Sequence, residues 1–421
     1  MTNLVLRGGH VITMDPELGD LPGADVHVAG GRIVAVGPAL DASGATEIDA
    51  RGTIVLPGLV ETHWHLWTTL LRAASGEGGP PTGYFRLTRD RGRDLEPGDL
   101  AAAVRLACAE AVHSGITTVH DWCHNVRSPE HARAAVEALA ASGLRARFGY
   151  GYPAGHGNDR AMDLADLAAL HAEWPRYAAG GRLTLGVAWR GLGGSNPAMV
   201  VPPRVYRAEI EAARGLGLPL SVHASGPRAA AGQIAALAGG GLLGPDVQVV
   251  HANSATGTEI RQLADTGATV SLSPYSELLI GYGPPRTGAL LAAGVPVGLS
   301  VDTTAITGNA DPWAIMKLTL ALANGAAEDE FALTARRVLA MATLDGARTL
   351  GLDGEIGSLT PGKRADLVAV STDGPHLRAG HDPARLLVTA VQPADVRTVL
   401  VDGRVLKRPP GHDQGDVPAL S

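Results

Sequence analysis

The chain has 421 residues, of which 45% are hydrophobic and 18% charged, and a formal net charge of −7. That length suits a large α/β barrel with a small second module, and the acidic balance excludes a basic footprint for nucleic acid. No apolar run approaches the roughly 18 residues of a membrane span. Two cysteines, Cys108 and Cys123, make no disulfide framework, so a cytoplasmic protein is expected.

The first residues, MTNLVLRGGHVITMD, lack a basic region followed by a long apolar run and read as a strand, not a signal peptide. Up to residue 56 the chain is short β segments punctuated by Gly-Gly and Asp-Pro. Eight apolar runs follow in order: IVLPGLV, GITTVHD, RARFGYG, LTLGVAW, PLSVHAS, VQVVHA, ATVSLSP and PVGLSVD. Amphipathic stretches such as DLAAAVRLACAEAVHSG and PRVYRAEIEAARGLG separate most of them. Continuous apolar strands alternating with helices predict a parallel (β/α)8 TIM barrel over residues 57–356. The chain returns to β segments in GSLTPGKRADLVAVS and VRTVLVDGRVL. Residues 1–56 and 357–421 are therefore expected to form one discontinuous β-sandwich domain.

Function in such a barrel sits at the C-terminal ends of the strands. The first run is followed by His63 and His65, the second by His120 and Asp121, the fifth by His223, the sixth by His251 and the eighth by Asp302. In an extended strand residues i and i+2 point the same way, so His63 and His65 aim at one point while Trp64 faces away. An isolated HxH pair carries little weight. Further candidates at the ends of separate strands converge on one barrel mouth and predict a metal site. Imidazole suits zinc, and iron or manganese when a carboxylate joins it.

PGLVETHWH, SVHAS, VVHAN, GLSVDTT and the terminal PGKRADLVAV together resemble the amidohydrolase superfamily. Within it the chain is most similar to the ATZ/TRZ-like group of deaminases and atrazine chlorohydrolase. The resemblance implies that His63, His65, His223 and Asp302 hold one divalent metal ion. It further implies that Asp302 accepts a proton from the attacking water and that His251 stabilises the developing charge. Binuclear relatives bridge their metals with a carboxylated lysine after strand four; here Trp189 and Arg190 stand there, which favours a single ion. The implied activity is hydrolysis of a C–N bond at an sp2 carbon of a cyclic or aromatic nitrogen compound, by a homo-oligomer acting on a small molecule.

One departure is evident. The group's deaminases carry a glutamate three residues after the strand-five histidine, and here that residue is Gly226. Glycine donates no proton, so another acid must serve, the leaving group must need none, or the substrate must supply its own. Asp121, His124, His156 and Glu277 are candidate substitutes. Displacement of halide or a lyase step on the same site is the alternative activity, and a catalytically silent relative is the reading from another class. Trp67, His120 and Trp189 complete the expected substrate contacts; the tryptophans gathered near strand ends suit a flat ring, and core packing explains them nearly as well. Tyr84 and Arg86 mark a candidate lid after strand one, and Arg190 is a candidate carboxylate anchor or ion-pair partner.

Overall fold

The computed structural model describes residues 3–408 except 77, 154, 194–199 and 228–229. The tail beyond 408 and residues 194–196 of the GLGGSN loop after strand four lie outside the described residues.

Both chain ends contribute to one eight-stranded mixed sheet. Its strands are β1 (Asn3–Ile12), β2 (Asp20–Ala29), β3 (Arg32–Gly37), β4 (Thr46–Asp49) and β5 (Thr53–Pro57) from the start of the chain. The barrel strands are β6 (Leu59–Trp64), β7 (Ile116–Cys123), β8 (Arg145–Tyr150), β9 (Leu183–Trp189), β10 (Leu220–Ala224), β11 (Val247–His251), β12 (Thr269–Leu272) and β13 (Val297–Leu299). β14 (Leu367–Ser371), β15 (Val396–Val401) and β16 (Arg404–Lys407) complete the terminal sheet. Its order is β16-β15-β14-β5-β1-β2-β3, with β4 also on β1. Leu6, Val26, Ile33, Val55, Leu367 and Leu400 form its own apolar core.

The barrel strands pair in parallel and in chain order from β6 to β13. β6, β7 and β11 are buried at every residue, as strands covered on both faces must be. Closure comes through a bridge between Trp64 and Asp302. There the His65 N–H donates to the Asp302 carbonyl at 2.7 Å and the Asp302 N–H to the His63 carbonyl at 2.9 Å. The seam that shuts the barrel is thus made by the backbone of three candidate ligands.

The run IVLPGLV does not serve as one barrel strand. Its first half is β5, antiparallel to β14 with Pro57 opposite Leu367, and only from Leu59 does it enter the barrel. The change of sheet falls at Gly58, where a Cβ would stand 2.1 Å from the Thr117 hydroxyl oxygen. No side chain fits that crossing. Arg145, at the start of β8, binds Asp366 at 2.7 Å and Asp402 at 2.6 Å, so a buried ion cluster fastens the barrel to the terminal sheet. Around the barrel the helices bury one stripe each: Pro97–Ser114 buries Leu100, Val104, Ala107, Cys108 and Ala111 and ends on Gly115 at φ 87°.

Candidate metal centre and active site

His63 belongs to β6, His65 follows it, His223 lies in β10 and Asp302 stands three residues beyond β13. One ligand atom from each of these four lies within 4.8 Å of the others. Nε2 of His63 and of His65 are each 3.3 Å from Asp302 Oδ1. The His65 Nδ1–H donates to the Trp122 carbonyl at 2.8 Å, which fixes the tautomer and leaves Nε2 as a lone pair aimed at the centre. Both ring nitrogens of His63 are buried without a hydrogen-bond partner of good geometry, despite the approach to Asp302. Orphaned polar atoms are expensive in a core and point to a ligand they serve. Three imidazoles and one carboxylate are a donor set that suits zinc, iron or manganese.

The protonation states agree. Burial pushes His63 down to about 3. Burial, with His63 and His65 beside it, holds His223 well below its ordinary value. Burial opposes ionisation of Asp302, but the flanking imidazoles of His63 and His65 outweigh it and keep this carboxyl well below the usual range. Neutral histidines and an ionised carboxylate are the forms that bind a cation. A consequence concerns acid. The unfolded chain protonates His63 near 6.5 and the folded chain only near 3, so between those limits the unfolded state holds more protons. Chelator-treated protein should therefore lose stability as pH falls through that window, by about 1.4 kcal/mol per pH unit for each such group. Urea unfolding across it checks this; a flat profile would contradict it.

Three residues at the strand ends, His251, Ala252 and Asp302, have positive φ of 73°, 50° and 64°. Left-handed non-glycine residues cost energy and collect where a site over-determines the backbone. His251 Nδ1 lies 3.1 Å from Glu277 Oε1, and that carboxylate also accepts the Ser273 N–H at 2.8 Å. Burial opposes protonation of His251, but the Glu277 carboxylate more than offsets it and raises its pKa. With Nδ1–H given to Glu277, Nε2 is left for the cavity.

That cavity measures about 510 Å³ and is walled by Tyr84, Trp122, His124, Tyr152, His156 and Tyr282 over the His65, His223, His251 and Asp302 floor. His124 and His156 therefore reach it, while Glu277 sits behind His251. Trp67, His120, Asp121 and Trp189 do not line it. Trp67 is fully buried and donates to His124 Nδ1 at 3.4 Å. His120 lies deeper in the barrel, bonded to the Thr62 carbonyl at 3.1 Å; two residues on, Trp122 reaches the mouth from the same strand. Asp121 faces the opposite way, where its Oδ1 accepts the Leu66 N–H at 3.3 Å and burial pushes it up to about 8. Trp64 and Trp189 are fully buried, so core packing accounts for every tryptophan near a strand end except Trp122. Arg190 forms a buried ion pair with Glu209 at 2.7 Å and stacks over Tyr152, so it props the wall. Arg86 is exposed beside Asp90, and of the candidate lid pair only Tyr84 meets the cavity.

Glu61 escaped the sequence reading. It is buried in β6 and accepts N–H bonds from His63 at 3.1 Å and from Val301 at 2.9 Å, stapling the two ligand-bearing strand ends together. The available signal was a carboxylate inside a continuously apolar strand.

Residues 54–406 match the model of the amidohydrolase family. A 5'-deoxyadenosine deaminase of Methanosarcina mazei is 30% identical over 96% of this chain and 93% of its own. A 5-methylthioadenosine/S-adenosylhomocysteine deaminase of Natronomonas pharaonis is 33% identical, again over 96% and 93%. The chain belongs to the amidohydrolase family. Among solved structures, this amidohydrolase is similar to a zinc-bound adenosine deaminase of Xanthomonas campestris, with TM-score 0.84 and 26% identity over 100% of this chain and 96% of that one. It is also similar to the zinc complex of atrazine chlorohydrolase from Arthrobacter aurescens, with TM-score 0.81 and 26% identity over 97% of each chain. As an amidohydrolase it is an enzyme, a hydrolase of carbon–nitrogen bonds other than peptide bonds.

The position of the absent glutamate is structurally closed to one. Gly226 has φ +133°, and a Cβ there would meet the Ala230 Cβ at 2.8 Å. Gly226→Glu in this amidohydrolase should cost about 1–3 kcal/mol of stability and leave activity unimproved, as melting and ammonia assays would read. A stable, faster variant would contradict this.

Proposed function

We propose that this amidohydrolase holds one divalent metal, with zinc the first choice, on His63, His65, His223 and Asp302, and deaminates a purine nucleoside by hydrolysis. The observation that carries the reading is the convergence of four ligand atoms beneath a cavity with aromatic walls. The deaminases among the relatives and the zinc in similar structures support the substrate class and the metal. The strand-four end carries Trp189 and Arg190, the latter paired with Glu209, and no lysine, which supports a single ion.

When bound, the metal lowers the pKa of water and stabilises negative charge on oxygen. The chain supplies the rest. Asp302 takes a proton from the attacking water. His251, its Nδ1–H held by Glu277, donates an Nε2–H to the oxygen on which charge develops when its ring is protonated, the form that the Glu277 carboxylate favours. Tyr152 and Trp122 give the cavity aromatic walls that suit a heterocycle and exclude solvent from it. The cysteines, both free and buried, suit a cytoplasmic enzyme, and no helix among the described residues is long and apolar enough to cross a membrane.

The test is turnover by metal-loaded protein on a panel of amino- and halo-substituted purine nucleosides, pyrimidines and triazines. Ammonia release from an aminopurine nucleoside, faster than from the other rings, is expected. Halide release without ammonia would replace deamination with the dehalogenase reading. Tight metal retention with no turnover would favour the silent-homologue reading.

A further inference from the structure

With Gly226 closed to a carboxylate, the departing nitrogen still needs a partner, and the cavity offers few. His124 packs on His65 with ring centroids 4.3 Å apart and follows β7, away from the arc of β10 to β12 that carries Gly226. His156 is engaged with the Ala161 carbonyl at 3.1 Å. The Tyr84 hydroxyl is also buried, without a hydrogen-bond partner of good geometry, but it is carried by the segment after β6, outside the arc of β10 to β12. Glu277 takes His251 and Ser273 on Oε1 and sits behind His251, off the cavity lining.

Tyr282 differs from all of these. It follows β12, lines the cavity and sets its ring edge-on to His251, centroids 5.8 Å apart. Its backbone is pinned at both ends: the N–H donates to the Glu277 carbonyl at 2.8 Å, and the carbonyl accepts from Asn253 Nδ2 at 2.7 Å. The same Asn253 amide donates to the Gly226 carbonyl at 3.1 Å. One buried amide therefore clamps the tyrosine segment directly to the glycine that lacks the acid.

We infer that Tyr282 is a catalytic residue of the proposed reaction, its hydroxyl donating a hydrogen bond to the departing nitrogen in place of the carboxylate missing at Gly226. The inference rests on the deaminase reading above. Water gives its oxygen to the ring carbon, and the C–N bond breaks with its electron pair going to nitrogen. One water proton travels through Asp302 to that nitrogen, which leaves as ammonia; the other ends on the product. Tyr282 keeps its own proton. Burial pushes its pKa up to about 12, and the Ser225 hydroxyl faces it, so at neutral pH it remains a donor.

The experiment compares wild type, Y282F and S225A on a 6-aminopurine nucleoside and its 6-chloro counterpart, with melting temperature and metal content recorded for each. Chloride departs without a proton, so the two substrates separate leaving-group assistance from general damage. Y282F should lower kcat on the amino substrate by ~100-fold with KM little changed, and on the chloro substrate by less than ~3-fold. S225A, which removes only the group facing the tyrosine, should give a smaller loss with the same substrate bias, and it carries the test if Y282F fails to fold. Equal losses on both substrates, or none, would overturn the role of Tyr282. If wild type turns over neither, the deaminase reading itself fails and this inference goes with it.

Discussion

Asp302→Asn should leave a folded protein whose turnover falls by about 10⁴-fold, the loss expected when a general base is removed. The backbone at 302 is held independently of the carboxylate, since its N–H and C=O bond to His63 and His65 at 2.9 and 2.7 Å. Asparagine preserves the shape and those bonds. It removes the charge that sits 3.3 Å from each of the imidazoles of His63 and His65, a carboxylate on the cavity floor whose pKa those imidazoles hold well below the usual range. Circular dichroism and steady-state kinetics decide between outcomes: a well-folded variant retaining more than a tenth of wild-type kcat would refute the assignment.

His63→Ala tests the other half of the site. The ring is completely buried, and neither nitrogen has a hydrogen-bond partner of good geometry, although Nε2 lies 3.3 Å from the Asp302 carboxylate. Losing it deletes a ligand, so metal affinity should fall by more than the ~10- to 100-fold typical of removing a group behind one. Stability of the chelated protein should respond much less. Deleting the ring opens a void, but it also removes two unsatisfied polar atoms that each cost about 1–3 kcal/mol while buried. The net change between chelated wild type and chelated variant is expected within about 2 kcal/mol. Loss of metal with a near-constant melting temperature is the predicted signature; a variant that keeps its metal would contradict the ligand assignment.

Much of this was legible in the sequence because two periodicities carry it. Strand alternation put His63 and His65 on one side, and the rule that barrel function gathers at strand ends drew attention to His223, His251 and Asp302 along with His120 and Asp121, among which the family resemblance chose. Burial along a strand is not periodic in the same way. His120 and Trp122 share a face of β7, and only depth decides that the second meets the cavity while the first lies beneath it. Depth depends on how far each strand projects, which no local pattern records. The division of IVLPGLV between two sheets was hidden for a similar reason: apolar residues on both sides of Gly58 look alike, and only the 2.1 Å approach of Thr117 shows where the chain must turn. Tyr282 and Glu61 act through partners 29 and 240 residues away in the chain, Asn253 and Val301, so neither could be assigned from its neighbours.

The measurement that most directly tests the central claim is titration of chelated protein with zinc while following ammonia release from an aminopurine nucleoside. Activity should rise linearly and level off at one equivalent per chain, with His63→Ala showing no rise over the same range. A plateau at two equivalents would contradict the single-ion centre. Activity that survives chelation undiminished would contradict the metal-dependent account altogether.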